Sequence, residues 1–196
     1  MAAMGRPREF DLNQALDRAI EVFWRNGYEG ASVAELCEAM RISPPSLYAA
    51  FENKAGLFRR ALDRYLERRV GYWDEALEAP SAREMVERLV RGCVDFLSEE
   101  GNPPGCLFVR SAASCSEAAD CIREELAERR AEGEARLRQR LEGAAARGEL
   151  PPDLDPADFA RYLLAVLEGM SMRAGAGAGR EELRQIGEVA LRTWAA

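Results

Sequence analysis

A chain of 196 residues, 47% hydrophobic and 31% charged, has the composition of a soluble globular protein and the length for two small domains that share a long helix. No apolar run approaches the roughly 20 residues needed to cross a bilayer, and the opening MAAMGRPREF lacks the apolar core of a signal peptide, so a cytoplasmic protein without a membrane segment is expected. The net charge of −7 weighs against a polyanionic partner, but residues 1 to 60 hold eight basic and eight acidic residues, so the remainder carries the whole excess of acid.

In chain order, Arg6 and Arg8 flank a proline ahead of any helical signal, an arm suited to the negative potential of a narrow minor groove. Asp11 with Gln14 three residues on can cap a first helix, whose apolar face runs through Leu16, Ile20 and Phe23 and which should end at Asn26-Gly27. Trp24 and Tyr28 read as core aromatics. Ser32-Val33-Ala34-Glu35 has the form of a capping box, and Val33, Leu36, Cys37 and Met40 recur at helical spacing behind it. After Arg41-Ile42, Ser43-Pro44 opens a second short helix that carries Leu47 and Phe51 inward and leaves Pro44, Pro45, Ser46, Tyr48 and Ala49 nearer the outside. Two short capped helices joined by a tight turn form either a helix-turn-helix, whose second helix enters a major groove, or a corner of an ordinary helical bundle.

Asn53 can cap a fourth helix from Lys54, and its apolar spacing suggests one rod reaching Ala79, interrupted in composition by Gly71-Tyr72-Trp73. Ser81 to Glu84 resembles another capping box, opening a helix lined by Met85, Leu89, Cys93 and Phe96. Gly101 to Gly105 breaks the chain, and a short apolar segment from Cys106 to Ser114 contains Arg110, a charge that looks buried. Ser116-Glu117 then opens a long charged helix to about Ala146, Asp155-Pro156 starts a strongly apolar one, and Glu181 to Trp194 forms the last. The whole is all-α, with about nine helices.

Gly27-Tyr28-Glu29-Gly30-Ala31-Ser32, Ile42-Ser43, Ser46-Leu47-Tyr48 and Phe51-Glu52-Asn53-Lys54, followed by Leu57-Phe58, resemble the N-terminal domain of the tetracycline-repressor (TetR) family. The resemblance covers roughly residues 8 to 60. It implies a three-helix DNA-binding domain over residues 1–53 and a helical effector-binding and dimerisation domain over 54–196. The implied protein is a homodimer, through its last two helices, that represses transcription from a palindromic double-stranded DNA operator until a small hydrophobic effector releases it.

From the family's pattern Ser32, Pro44, Pro45, Ser46, Tyr48, Ala49 and Lys54 are the expected DNA-facing residues, with Arg6, Arg8 and Arg41 adding charge. Two departures stand out. Arg41 occupies a position where the family commonly has glycine, at a cost of about 1 kcal/mol if the turn is left-handed, and Ala49-Ala50 removes side chains that often touch DNA. The family places its effector among the middle helices, where Trp73, Phe96, Phe108, Arg110, Tyr162 and Met170 are candidates.

Five cysteines argue against a disulfide framework in a cytoplasmic chain. Cys106, Cys115 and Cys121 cluster near the glycine-proline break, and thiol-redox or copper-like soft-metal sensing by them is the alternative reading. A helical enzyme or scaffold is a further one. It is weakened by the absence of histidine, of a phosphate-cradling glycine loop and of a nucleophile and base pair, so no catalysis and no cofactor are expected.

Overall fold

The helix starts expected at Asp11, Ser32, Ser43, Asn53, Ser81 and Asp155 are capped by those side chains. In a computed structural model describing residues 11–114 and 119–194, the Asp11 carboxylate accepts from the N–H groups of Asn13 and Gln14 at 2.8 and 3.3 Å, opening α1 (Leu12–Gly30). Gly27 kinks α1 one turn before its end, with φ 71° and ψ 177°, a conformation that favours glycine. Ser32 and Glu35 form the reciprocal capping box of α2 (Val33–Met40), at 3.1 and 2.9 Å. Ser43 caps α3 (Pro44–Phe51), and Asn53 caps α4 (Lys54–Arg69) through the Gly56 N–H at 2.8 Å.

The rod expected to reach Ala79 is two helices. The chain leaves helical geometry at Val70, with φ −112° and ψ 17°, and resumes as α5 (Tyr72–Leu77). The turn lets the Tyr72 ring lie on Gly92 of α6 (Ala82–Leu97), so close that a Cβ there would stand 2.6 Å from the ring. This division raises the number of helices among the described residues to ten. The apolar segment after the glycine-proline break is itself a helix, α7 (Leu107–Ser114). α8 (Asp120–Ala146) is described from Asp120 onward, and the expected start at Ser116-Glu117 lies outside the described residues. α9 (Pro156–Gly175) and α10 (Arg180–Trp194) close the fold.

Arg110 is exposed rather than buried. A helix through this segment puts Leu107 and Ser111 inward and turns Arg110 out, where its guanidinium donates to the Trp24 carbonyl at 3.3 Å.

Two apolar clusters hold the molecule. The first joins Phe23, Trp24, Leu36, Leu47 and Phe58 of α1 to α4 with Phe96 of α6, Leu107 of α7, and Ile122 and Leu126 of α8. The second lies among α5, α6, α8, α9 and α10 around Met85, Leu89, Leu137, Leu163 and Met170. The small helices at the N-terminal end therefore share a core with the body they sit on. Among the described residues no helix is long and apolar enough to cross a membrane.

Candidate nucleic-acid interface and ligand cavity

α2 and α3 are too short to persist alone, and each is held by its inner face. Leu36, Cys37 and Met40 of α2 and Leu47 and Phe51 of α3 are buried against α1 and α4, as their spacing requires. The opposite face presents Pro44, Pro45, Tyr48 and Ala49 to solvent, Tyr48 being 48% exposed. Ser46 is half-buried, its hydroxyl 2.9 Å from that of Ser43. The Ser32 hydroxyl accepts from Glu35 in the cap but keeps its own proton to donate.

Arg41 adopts the left-handed conformation, φ 58° and ψ 43°, and is exposed in the turn between α2 and α3. Its N–H and that of Ile42 reach the Glu38 and Cys37 carbonyls at 3.1 and 3.0 Å, so the strained residue closes the end of α2. Arg41→Gly should raise stability by about 1 kcal/mol, seen as a melting temperature higher by about 2–4 °C. A melting temperature at or below that of the native protein would contradict this account of the turn.

Lys54 is tied down more than its sequence position suggests. Its ammonium donates to the Glu29 carbonyl at 3.3 Å and lies 4.7 Å from the centre of the Tyr28 ring. Burial pulls its pKa below the usual lysine value, against the opposing pull of Glu29 and Glu35. One donor is spent on the fold and the rest remain for an anion. Arg6 and Arg8 lie outside the described residues.

Where α4 to α9 meet, a cavity of about 360 Å³ opens. Trp73, Phe96 and Phe108, three of the six expected effector residues, line it. The other three do not: Arg110 borders a separate depression with Pro104 and Met172, Tyr162 is 38% exposed on the outside of α9, and Met170 is wholly buried in the core. Periodicity had not singled out Tyr72, Arg129, Arg130, Glu168 and Ser171, which also line the cavity. A signal for part of this set was present, because Leu164, Leu167, Glu168 and Ser171 share one face of α9 by spacing.

The hydroxyls and thiols in and behind the cavity wall are hydrogen-bonded. The Tyr65 hydroxyl, fully buried behind the wall, donates to the Cys106 Sγ at 3.2 Å and accepts from the Leu107 N–H at 3.2 Å. Ser171 Oγ accepts from the Cys106 N–H at 3.0 Å, and Tyr72 is hydrogen-bonded with Cys93. Burial pushes the Cys93 thiol up to about 12, raises that of Cys106, and holds both tyrosines well above their ordinary range. These thiols stay protonated at neutral pH and are poor nucleophiles. Cys121 is exposed on α8, and Cys115 lies outside the described residues. Among the described residues no group of three or more Cys, Asp or Glu side chains is disposed to hold a metal.

The cavity wall touches the N-terminal helices directly. Trp24 of α1 stacks on Phe96, with centroids 5.8 Å apart and planes at 13°, and meets Tyr65 edge-on at 5.0 Å. Its indole N–H donates to the Gly105 carbonyl at 3.1 Å, next to Cys106.

Two family descriptions match the chain: "Bacterial regulatory proteins, tetR family" over residues 15–61, and "Tetracyclin repressor-like, C-terminal domain" over residues 82–187. The chain is similar to the HTH-type transcriptional repressor ComR of Escherichia coli (strain K12), 38% identical over 192 residues that cover 97% of this chain and 91% of that one. It is also similar to the repressor BdcR of the same organism, 34% identical over 111 residues, 56% of each chain. Among solved structures it resembles a cysteine mutant of the TetR family transcriptional regulator CifR in complex with 26-bp double-strand operator DNA. That chain is 44% identical with a TM-score of 0.91, and the match covers 96% of this chain and 100% of that one. With both halves matched and a repressor aligned along nearly its whole length, the chain belongs to the TetR family of bacterial regulatory proteins.

Proposed function

We propose that this regulator acts in the cytoplasm as a homodimeric repressor rather than an enzyme, its head (residues 1–53) reading a palindromic operator and its body (54–196) holding a small effector and the second subunit. The observation that carries the reading is the arrangement of α3: a fixed helix whose outer face, Pro44, Pro45, Tyr48 and Ala49, is exposed beside Arg41. The CifR structure, similar over the whole chain, holds operator DNA. Tyr48, Ser32, Ser46, Lys54 and Arg41 set position by hydrogen bonds and charge to phosphates, while Pro44, Pro45 and Ala49 can offer only apolar contacts such as to thymine methyls. Arg6 and Arg8 supply the minor-groove reach that this plain helix lacks.

Dimerisation through the last two helices agrees with the apolar side chains they leave outside, Tyr162 and Met172 on α9 and Val189 on α10, the last two more than half exposed. Effector binding is assigned to the cavity because its wall includes Phe96, on which Trp24 of the head rests. An effector that displaces Phe96 or the Gly105-Cys106 segment shifts α1, and with it the reading helices.

A gel shift with the DNA upstream of the protein's own gene tests the reading. Specific, salt-sensitive binding is expected, and Tyr48→Phe should weaken it by about fivefold, the equivalent of one hydrogen bond of about 1 kcal/mol. No specific shift, or an unchanged affinity in Tyr48→Phe, would remove this account of the α3 surface.

A further inference from the structure

The charged residues around the cavity answer one another. Arg129 donates to Asp63 of α4 at 2.6 Å and to Glu125 at 3.3 Å, and Arg136 donates to Asp74 of α5 at 2.7 Å. Arg130 donates to Glu168 of α9 at 2.7 Å, and its guanidinium lies 6.0 Å from the centre of the Phe108 ring. The remaining carboxylates, Glu67 and Glu132, are exposed at the rim. Deeper in, the wall offers only aromatic and aliphatic surface with the hydroxyls and thiols already described. A ligand charge carried into this deeper part would lose water without meeting an unpaired charge of opposite sign, a cost that disfavours it unless an existing pair breaks.

We propose that the cavity takes an uncharged, mainly apolar molecule, and that Glu168 enforces this choice by holding Arg130 away from anionic ligands. The inference rests on the cavity being the effector site. Glu168 belongs to the cavity wall and stands near enough to Cys106 to help raise its thiol pKa, so the carboxylate is placed to meet whatever enters. Removing its charge frees Arg130, the fork best suited to a carboxylate, at the same wall.

Three probes of one ring system separate the outcomes by calorimetry at pH 7: 2-naphthol, which is neutral there, 2-naphthoate, and 2-naphthylmethylammonium. The native protein should bind naphthol at least about tenfold more tightly than either ion, a difference of about 1.4 kcal/mol. Glu168→Gln should tighten naphthoate by about tenfold relative to naphthol, read as the ratio of the two affinities in each protein. Leu164→Trp, checked for folding by circular dichroism, should weaken naphthol by filling the cavity. An ion that binds as well as naphthol, or a naphthoate-to-naphthol ratio unmoved by Glu168→Gln, would overturn this inference alone. Failure of all three probes in both proteins, or naphthol binding untouched by Leu164→Trp, would overturn it together with the cavity's assignment as effector site.

Discussion

Trp24→Ala is expected to destabilise the protein by about 3–5 kcal/mol, the range for losing a large buried aromatic. Trp24 has no exposed surface, lies against Tyr65 and Phe96, and bonds the Gly105 carbonyl. The loss would open a void in the cluster that joins the head to the body. Urea denaturation followed by circular dichroism measures it, and a midpoint within error of the native one would show that this cluster does not hold the two parts together. Trp24→Phe is the finer probe. It keeps most of the ring packing and leaves the Gly105 carbonyl without its donor, at about 1–3 kcal/mol. The expected result is retained operator binding with a weaker release response to a ligand of the cavity, because one of the connections from the cavity wall to α1 is gone.

Gly56→Ala should be nearly as severe, about 3 kcal/mol, at the high end for overpacking. A Cβ at Gly56 would stand 2.2 Å from the Phe51 carbonyl oxygen. The obstacle is backbone, so no side-chain rotation relieves it. The junction is already tight: α3 ends with Glu52 at φ 68°, and Asn53 caps α4 through the Gly56 N–H itself. Relief therefore requires α3 to move away from α4, which changes the attitude of Tyr48 and lowers operator affinity along with stability. Native-like operator affinity in a destabilised Gly56→Ala protein would show that the placement of α3 does not depend on this junction.

The caps explain why so much of the helical framework was legible. Asp11, Ser32, Ser43, Asn53 and Asp155 each bond a backbone N–H two or three residues on, a decision made within one turn of chain. Arg41 was legible through the family resemblance, which commonly has glycine at that position, and its φ of 58° and ψ of 43° bear out a left-handed turn. The break at Val70 was not. Gly71 marked it only in composition, and the turn goes with the packing of Tyr72 onto Gly92, two residues 20 apart in sequence. Arg110 was misread because an apolar neighbourhood in sequence says nothing of direction until the segment is known to be helical.

By itself the sequence determined most of the helix starts, their order, the inward faces of the reading pair and the family resemblance of residues 8 to 60, all carried by contacts within a few residues or by wording in fixed order. Only the tertiary structure decided where α4 stops, which of the apolar faces meet and which leave a cavity, and that Arg129, Arg130 and Arg136 are spent on carboxylates of other turns and helices. A hydrophobic period reports that a face leaves water. Whether it then meets a side chain or an empty space depends on six helices at once, and no local pattern contains that sum.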